Sequence, residues 1–129
     1  MDMNHLIDIL LEDEEYRTLF ERIEKNGEYE KSEVLTILLS ISYMQSGKGK
    51  EAEDLLKPIY QRRKDVAEVN YWYSSALLGC AADLDSLIQA KGIMLDALSL
   101  GLEGNMMQDA LEKLERAEEN ITYLMTKKN

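Results

Sequence analysis

The sequence predicts an all-α protein: a right-handed stack of antiparallel helix pairs, six or seven helices in all, with a C-terminal capping helix. Three observations carry this. Apolar residues recur at helical spacing in every apolar segment. Proline occurs once and glycine seven times in 129 residues, too few for a turn-dense β fold. Leu, Glu, Ala, Lys and Met, all good helix formers, dominate the composition. With 45% hydrophobic and 31% charged residues, the chain fits one helical domain, 1–129, that buries a real core.

The elements follow in order. An N-terminal helical segment spans 4–25. Its first apolar group is Leu6, Ile7, Ile9, Leu10 and Leu11, and its second is Tyr16, Leu19, Phe20 and Ile23. Asp13 stands where one continuous helix needs an apolar residue. This favours a short helix 4–11 and a helix 14–25 capped by Asp13, although a single helix fits nearly as well. Asn26-Gly27 supplies the stop. A helix pair then spans 29–63. Its first helix, 29–45, is apolar almost all round, which requires burial on two sides. Ser46-Gly47-Lys48-Gly49 breaks it. The second helix carries Ala52, Leu55, Leu56, Ile59 and Tyr60 on one stripe, and Pro58 should kink it. A second pair spans 67–99, with Asp83 or Asp85 as the internal cap. Asn105 to Gln108 reads as a capping box that opens the last helix, 105–126. That helix has an apolar stripe of Met107, Ala110, Leu111, Leu114, Ala117, Ile121, Leu124 and Met125.

Residues 33–66 and 69–102 share a spacing of small and large residues. In the first, Leu39-Ser40, Tyr43, Gly47, Ala52 and Leu56 fall in order; in the second, Trp72, Ala76, Ala90 and Ala97 do. Together they resemble tetratricopeptide repeats, two antiparallel helices in about 34 residues with small residues at the crossings. The second unit departs from the pattern: Gly79 replaces an aromatic, and no glycine ends its first helix. The resemblance implies a protein-binding module whose first helices line a concave groove. Carried over, that groove holds Val34, Ile37, Leu38, Ile41, Met44 and Gln45 from one pair. From the next it holds Asn70, Tyr73, Leu77 and Cys80. An apolar groove of this kind suits an amphipathic partner helix. Alternatively, the first two helices fold back and fill it.

Function is read by exclusion and by charge. The net charge of −10 repels nucleic acid and anionic membranes. Residues 1–30 hold ten acids against three bases, with Glu12, Asp13, Glu14 and Glu15 contiguous. One cysteine, Cys80, excludes an internal disulfide and fits a reducing cytoplasm. The start, Met1 to His5, lacks the basic region of a signal peptide, and no apolar run approaches a membrane span. His5 has no second histidine for a metal site. Asp83 and Asp85 lack the glycine and terminal glutamate of a calcium loop. Gly47 to Lys50 lacks phosphate-loop spacing. No carboxylate pair is placed for acid–base work.

The expectation is therefore a non-enzymatic adaptor or chaperone that binds a protein or peptide partner and needs no cofactor or metal. The alternative is an acidic, immunity-type inhibitor that uses Glu12 to Glu15 against a basic partner. A third class is a helical sensor of small molecules. A monomer is favoured over a homodimer, because the stripe at 107–125 is long enough to cap the stack.

Overall fold

The computed structural model describes residues 3–25 and 30–127. They form seven helices: α1 (Met3–Leu10), α2 (Glu14–Lys25), α3 (Lys31–Gln45), α4 (Gly49–Arg62), α5 (Ala67–Cys80), α6 (Leu84–Ser99) and α7 (Gly104–Lys127). No strand occurs among the described residues. The expected Asn26-Gly27 stop lies outside them. Among the described residues no helix is long and apolar enough to cross a membrane.

The helix ends follow from local chemistry. The Asp13 carboxylate accepts the Glu15 amide at 2.8 Å and so opens α2 after a tight turn. At the end of α3, Gly47 N–H reaches Met44 O at 3.2 Å and Lys48 N–H reaches Tyr43 O at 2.8 Å. This closing pair needs a left-handed residue, and Gly47 has φ +76°. The same pair closes α6, through Gly101 at φ +102° and bonds back to Leu98 and Ala97. Asp83 caps α6 by accepting the Ser86 amide at 2.8 Å. α4 runs through Pro58 as one helix, with the proline on its exposed side.

Each helix from α3 onward packs on the next, while α1 and α2 both dock on α3. α3, α5 and α7 also touch in that order, so the alternate helices form one inner layer. Small residues sit at the crossings: Ser40, Ala52, Ala76, Ala90 and Ala97 are all fully buried. Ser74 donates its hydroxyl to Ala90 O at 2.6 Å and fastens α5 to α6 there. The core has two parts. One joins α2 to α6 around Leu38, Leu56 and Tyr73, and the other joins α5, α6 and α7 around Tyr71, Met94 and Ala110. Trp72 and Leu78 pack against both.

Two expectations about α7 need correction. The helix begins at Gly104, and Met107 N–H reaches back to Glu103 O, so Asn105 lies in the first turn and is not the cap. The buried stripe is also rotated. Met106, Ala110, Ala117 and Ile121 face the core, Leu114 and Leu124 are half-buried, and Met107, Leu111 and Met125 are exposed. α7 has apolar residues on two adjacent flanks, and the core needs only one.

Candidate functional site

The residues expected to line an open groove are mostly core. Val34, Ile37, Leu38, Ile41, Asn70, Tyr73 and Leu77 are buried, Met44 and Cys80 half-buried, and Gln45 exposed. The cause is α2. Its Tyr16 and Leu19 are buried in the same cluster as Val34, Ile41 and Tyr73, with Leu10 and Phe20 packed against it. The Tyr16 hydroxyl donates to Gln45 Oε1 at 2.7 Å, at the end of α3. Arg22, two turns on, points Nη1 at Met106 Sδ, 3.1 Å away at the start of α7. α2 therefore lies over the inner face of α3 and reaches the start of α7. The groove residues have structural partners of their own. Tyr73 stacks on Tyr60 with centroids 4.5 Å apart, and Asn70 donates to Lys64 O and Val66 O, both at 2.9 Å.

The remaining sequence candidates are placed as follows. Glu12, Asp13, Glu14 and Glu15 are all exposed at the α1–α2 turn. Burial, then the nearby Glu53 charge, pushes the Cys80 thiol up, away from the thiolate that a nucleophile needs. His5 is exposed. Among the described residues no group of three or more His, Cys, Asp and Glu is placed to hold a metal ion.

The open part of the inner layer is further along, between α5 and α7. A cleft of about 270 Å³ is lined by Ser75, Leu78 and Gly79 of α5, Leu87 of α6, and Lys113, Arg116, Ala117 and Asn120 of α7. A second cleft, of about 210 Å³, shares Leu78, Leu87 and Asn120 and continues past Ala81 to Tyr123 and Leu124. The floor is apolar and the α7 rim is polar. Tyr123, 62% exposed, stands at the far end.

A side-chain network closes the near end. Tyr71 of α5 donates its hydroxyl to the Asp109 carboxylate of α7. Lys113 pairs with Asp109 at 2.6 Å and donates to Ser75 Oγ at 3.1 Å. Burial first, and then the bond to Asp109, holds the Tyr71 hydroxyl well above the usual tyrosine range. Burial also works to raise Asp109, but the bonds from Lys113 and Tyr71, with the Lys113 charge, outweigh it and leave the carboxyl below its ordinary value. The network ties α5 to α7 at this end of the cleft.

Sequence reasoning missed Leu78, Leu87 and Asn120. One signal was available. Lys113, Arg116, Asn120 and Tyr123 recur every three or four residues, beside the apolar stripe, on a single flank of the last helix. No protein-family model, curated protein or solved structure matches the chain.

Proposed function

We propose that this chain is a non-enzymatic protein-binding module, an adaptor or chaperone, that holds one amphipathic segment of a partner between α5 and α7. The observation that carries this reading is the continuous open cleft over Leu78, Leu87 and Ala117, rimmed by Arg116, Asn120 and Tyr123. An apolar floor supplies affinity, and a few polar groups at the edge set orientation. Arg116 is exposed and cationic on a chain of net charge −10, so it suits a carboxylate on the partner segment. The stacked pairs with small residues at their crossings fit the tetratricopeptide resemblance, in which the inner layer receives the partner. A lone cysteine suits a reducing compartment, and the cytoplasm is the proposed location.

A second reading rests on a separate observation. Glu12 to Glu15 form an exposed acidic run at one turn, which suits a basic partner in the manner of an inhibitory protein. Affinity capture from native cell extract separates the two. The baits are the wild type, Arg116→Glu with Tyr123→Ala, and a variant with all four acids neutralised. A partner retained in high salt and lost only with the cleft variant supports the proposal. A partner lost only with the neutralised acids, or lost in high salt, supports the acidic reading. A partner kept by both variants overturns both.

A further inference from the structure

Arg22 of α2 ends on a sulfur atom. Its Nη1 lies 3.1 Å from the Sδ of Met106, in the first turn of α7. A thioether is a weak acceptor, whereas a guanidinium is a strong donor that pairs best with carboxylates. Two carboxylates are near. Glu68 and Glu103 line the same cleft as Arg22 and Met106, an open space of about 430 Å³ between α2, α5 and the start of α7. Among the described residues neither forms an ion pair with Arg22. The cation therefore keeps donors that the sulfur does not use.

Met106 also differs from its neighbours in burial. Met94, in the same core cluster, is fully buried, while Met107 and Met125 are exposed. Met106 is 9% exposed: it packs in the core on one side and lines the cleft on the other. A small oxidant can approach its sulfur from that cleft. Oxidation of a core methionine ordinarily disrupts packing, because the sulfoxide is polar and finds no partner. At Met106 a partner is already in place. A sulfoxide oxygen is a far better acceptor than the thioether, and the Arg22 guanidinium stands beside the atom that would carry it. The weak contact between α2 and α7 would become a charge-assisted hydrogen bond.

We propose that Met106 is a reversible oxidation site: a peroxide converts it to the sulfoxide, and Arg22 holds the new oxygen and so ties α2 to α7. The sulfur lone pair attacks one peroxide oxygen, and the S–O bond forms as the O–O bond breaks. Sulfur is oxidised and the peroxide is reduced. With hydrogen peroxide, the proton on the transferred oxygen passes through water to the departing hydroxide, and one water is released. A methionine sulfoxide reductase reverses the change. The inference is independent of what the α5–α7 cleft binds.

The test treats the full chain with hydrogen peroxide and locates the added oxygen by peptide mass spectrometry. Met106 should be oxidised along with the exposed Met107 and Met125, while Met94 stays unmodified. Amide hydrogen exchange then follows α2 in a Met107→Leu, Met125→Leu background, both changes being at exposed positions. Oxidation should slow exchange in α2 about tenfold, and the reductase should restore the original rate. Adding Arg22→Leu, also at an exposed position, removes the guanidinium. Oxidation of that variant should leave exchange in α2 unchanged or speed it. A Met106 that stays unmodified while Met107 and Met125 convert overturns the proposal. Exchange that does not slow when Arg22 is present, or that slows equally without it, also overturns it.

Discussion

Gly49 at the start of α4 lies against Gly79 near the end of α5: a Cβ on Gly49 would sit 2.9 Å from the Gly79 carbonyl carbon. The obstacle is backbone, which cannot rotate aside. Gly49→Ala should therefore push α4 from α5 and destabilise the fold by about 1–3 kcal/mol. The reverse change behaves differently. A Cβ on Gly79 meets only Gly49 Cα, at an ordinary 3.8 Å, and the position is exposed within a helix. Gly79→Ala should gain up to about 1 kcal/mol from helix propensity. Urea unfolding of both variants decides it, and equal losses would refute the one-sided contact.

The same pair shows what a sequence can reveal. Gly79 reads as a defect in a repeat pattern, a glycine where an aromatic belongs. Its meaning depends on Gly49, thirty residues away, and only the crossing of α4 and α5 supplies it. The elements themselves were legible: the turn at Gly47 and the cap at Asp83 are local chemistry, and their bonds form as expected. The phase of α7 was not. Met106 and Met107 are adjacent and chemically alike, and apolar residues continue on both flanks, so spacing alone cannot select the flank that docks. The faces of α3 and α5 had two readings for a related reason. Family analogy marks them as open, yet Tyr16 and Leu19 must also be buried, and burial against those faces is the alternative in which the first two helices fold back.

Glu33 and Arg63 tie the start of α3 to the end of α4 through two bonds, at 2.5 and 3.1 Å. The hydrogen bond from Arg63, then its charge, outweighs burial and holds the Glu33 carboxyl below the usual range. A carboxylate depressed in the folded state adds stability above its unfolded pKa, about 4.3, and loses it as pH falls through the folded value. Glu33→Gln should cost about 1.5–3 kcal/mol at neutral pH. The gap from wild type should narrow as pH is lowered from 7 to about 3. Urea melts at the two pH values test this, and a gap independent of pH would assign the loss to packing.

The rotation of α7 makes a second contrast. Ile121 is buried, and Leu111 is half exposed, though both belong to the stripe read from the sequence. Ile121→Ala should cost about 2–4 kcal/mol. Leu111→Ala should stay within about 0.5 kcal/mol. Equal losses at the two positions would restore the unrotated stripe.

Tyr71, Asp109, Lys113 and Ser75 tie α5 to α7 at one end of the cleft. Tyr71 is a neutral acid whose folded pKa is raised, so its contribution is complete below about pH 10 and is lost as pH rises through the folded value. Tyr71→Phe should remove the bond to Asp109 and cost about 1.5–3 kcal/mol at neutral pH. It should also flatten the alkaline loss of stability seen in the wild type. A variant as stable as wild type with the same alkaline slope would show that the network does not tie the two helices.

The last prediction concerns the cover over the inner layer. α1 and α2 dock chiefly on α3, through Tyr16 and Leu19, with Arg22 reaching Met106 beyond. Lifting them would uncover Val34, Ile37, Ile41 and Tyr73, while α3 to α7 would keep their mutual contacts and the second core around Met94 and Ala110. Leu19→Asp places a charge in an apolar site and removes the main anchor. If the cover is a separate cooperative unit, this variant should bind a hydrophobic dye strongly in the absence of denaturant and keep most of its helical circular dichroism. Adding Tyr16→Phe to a milder Leu19→Ala should have a smaller effect in the same direction, since it removes only the bond to Gln45. Loss of all helicity together with the cover would mean that α2 is integral to one core. In that case the buried faces of α3 and α5 are never free, and any partner must use the α5–α7 cleft.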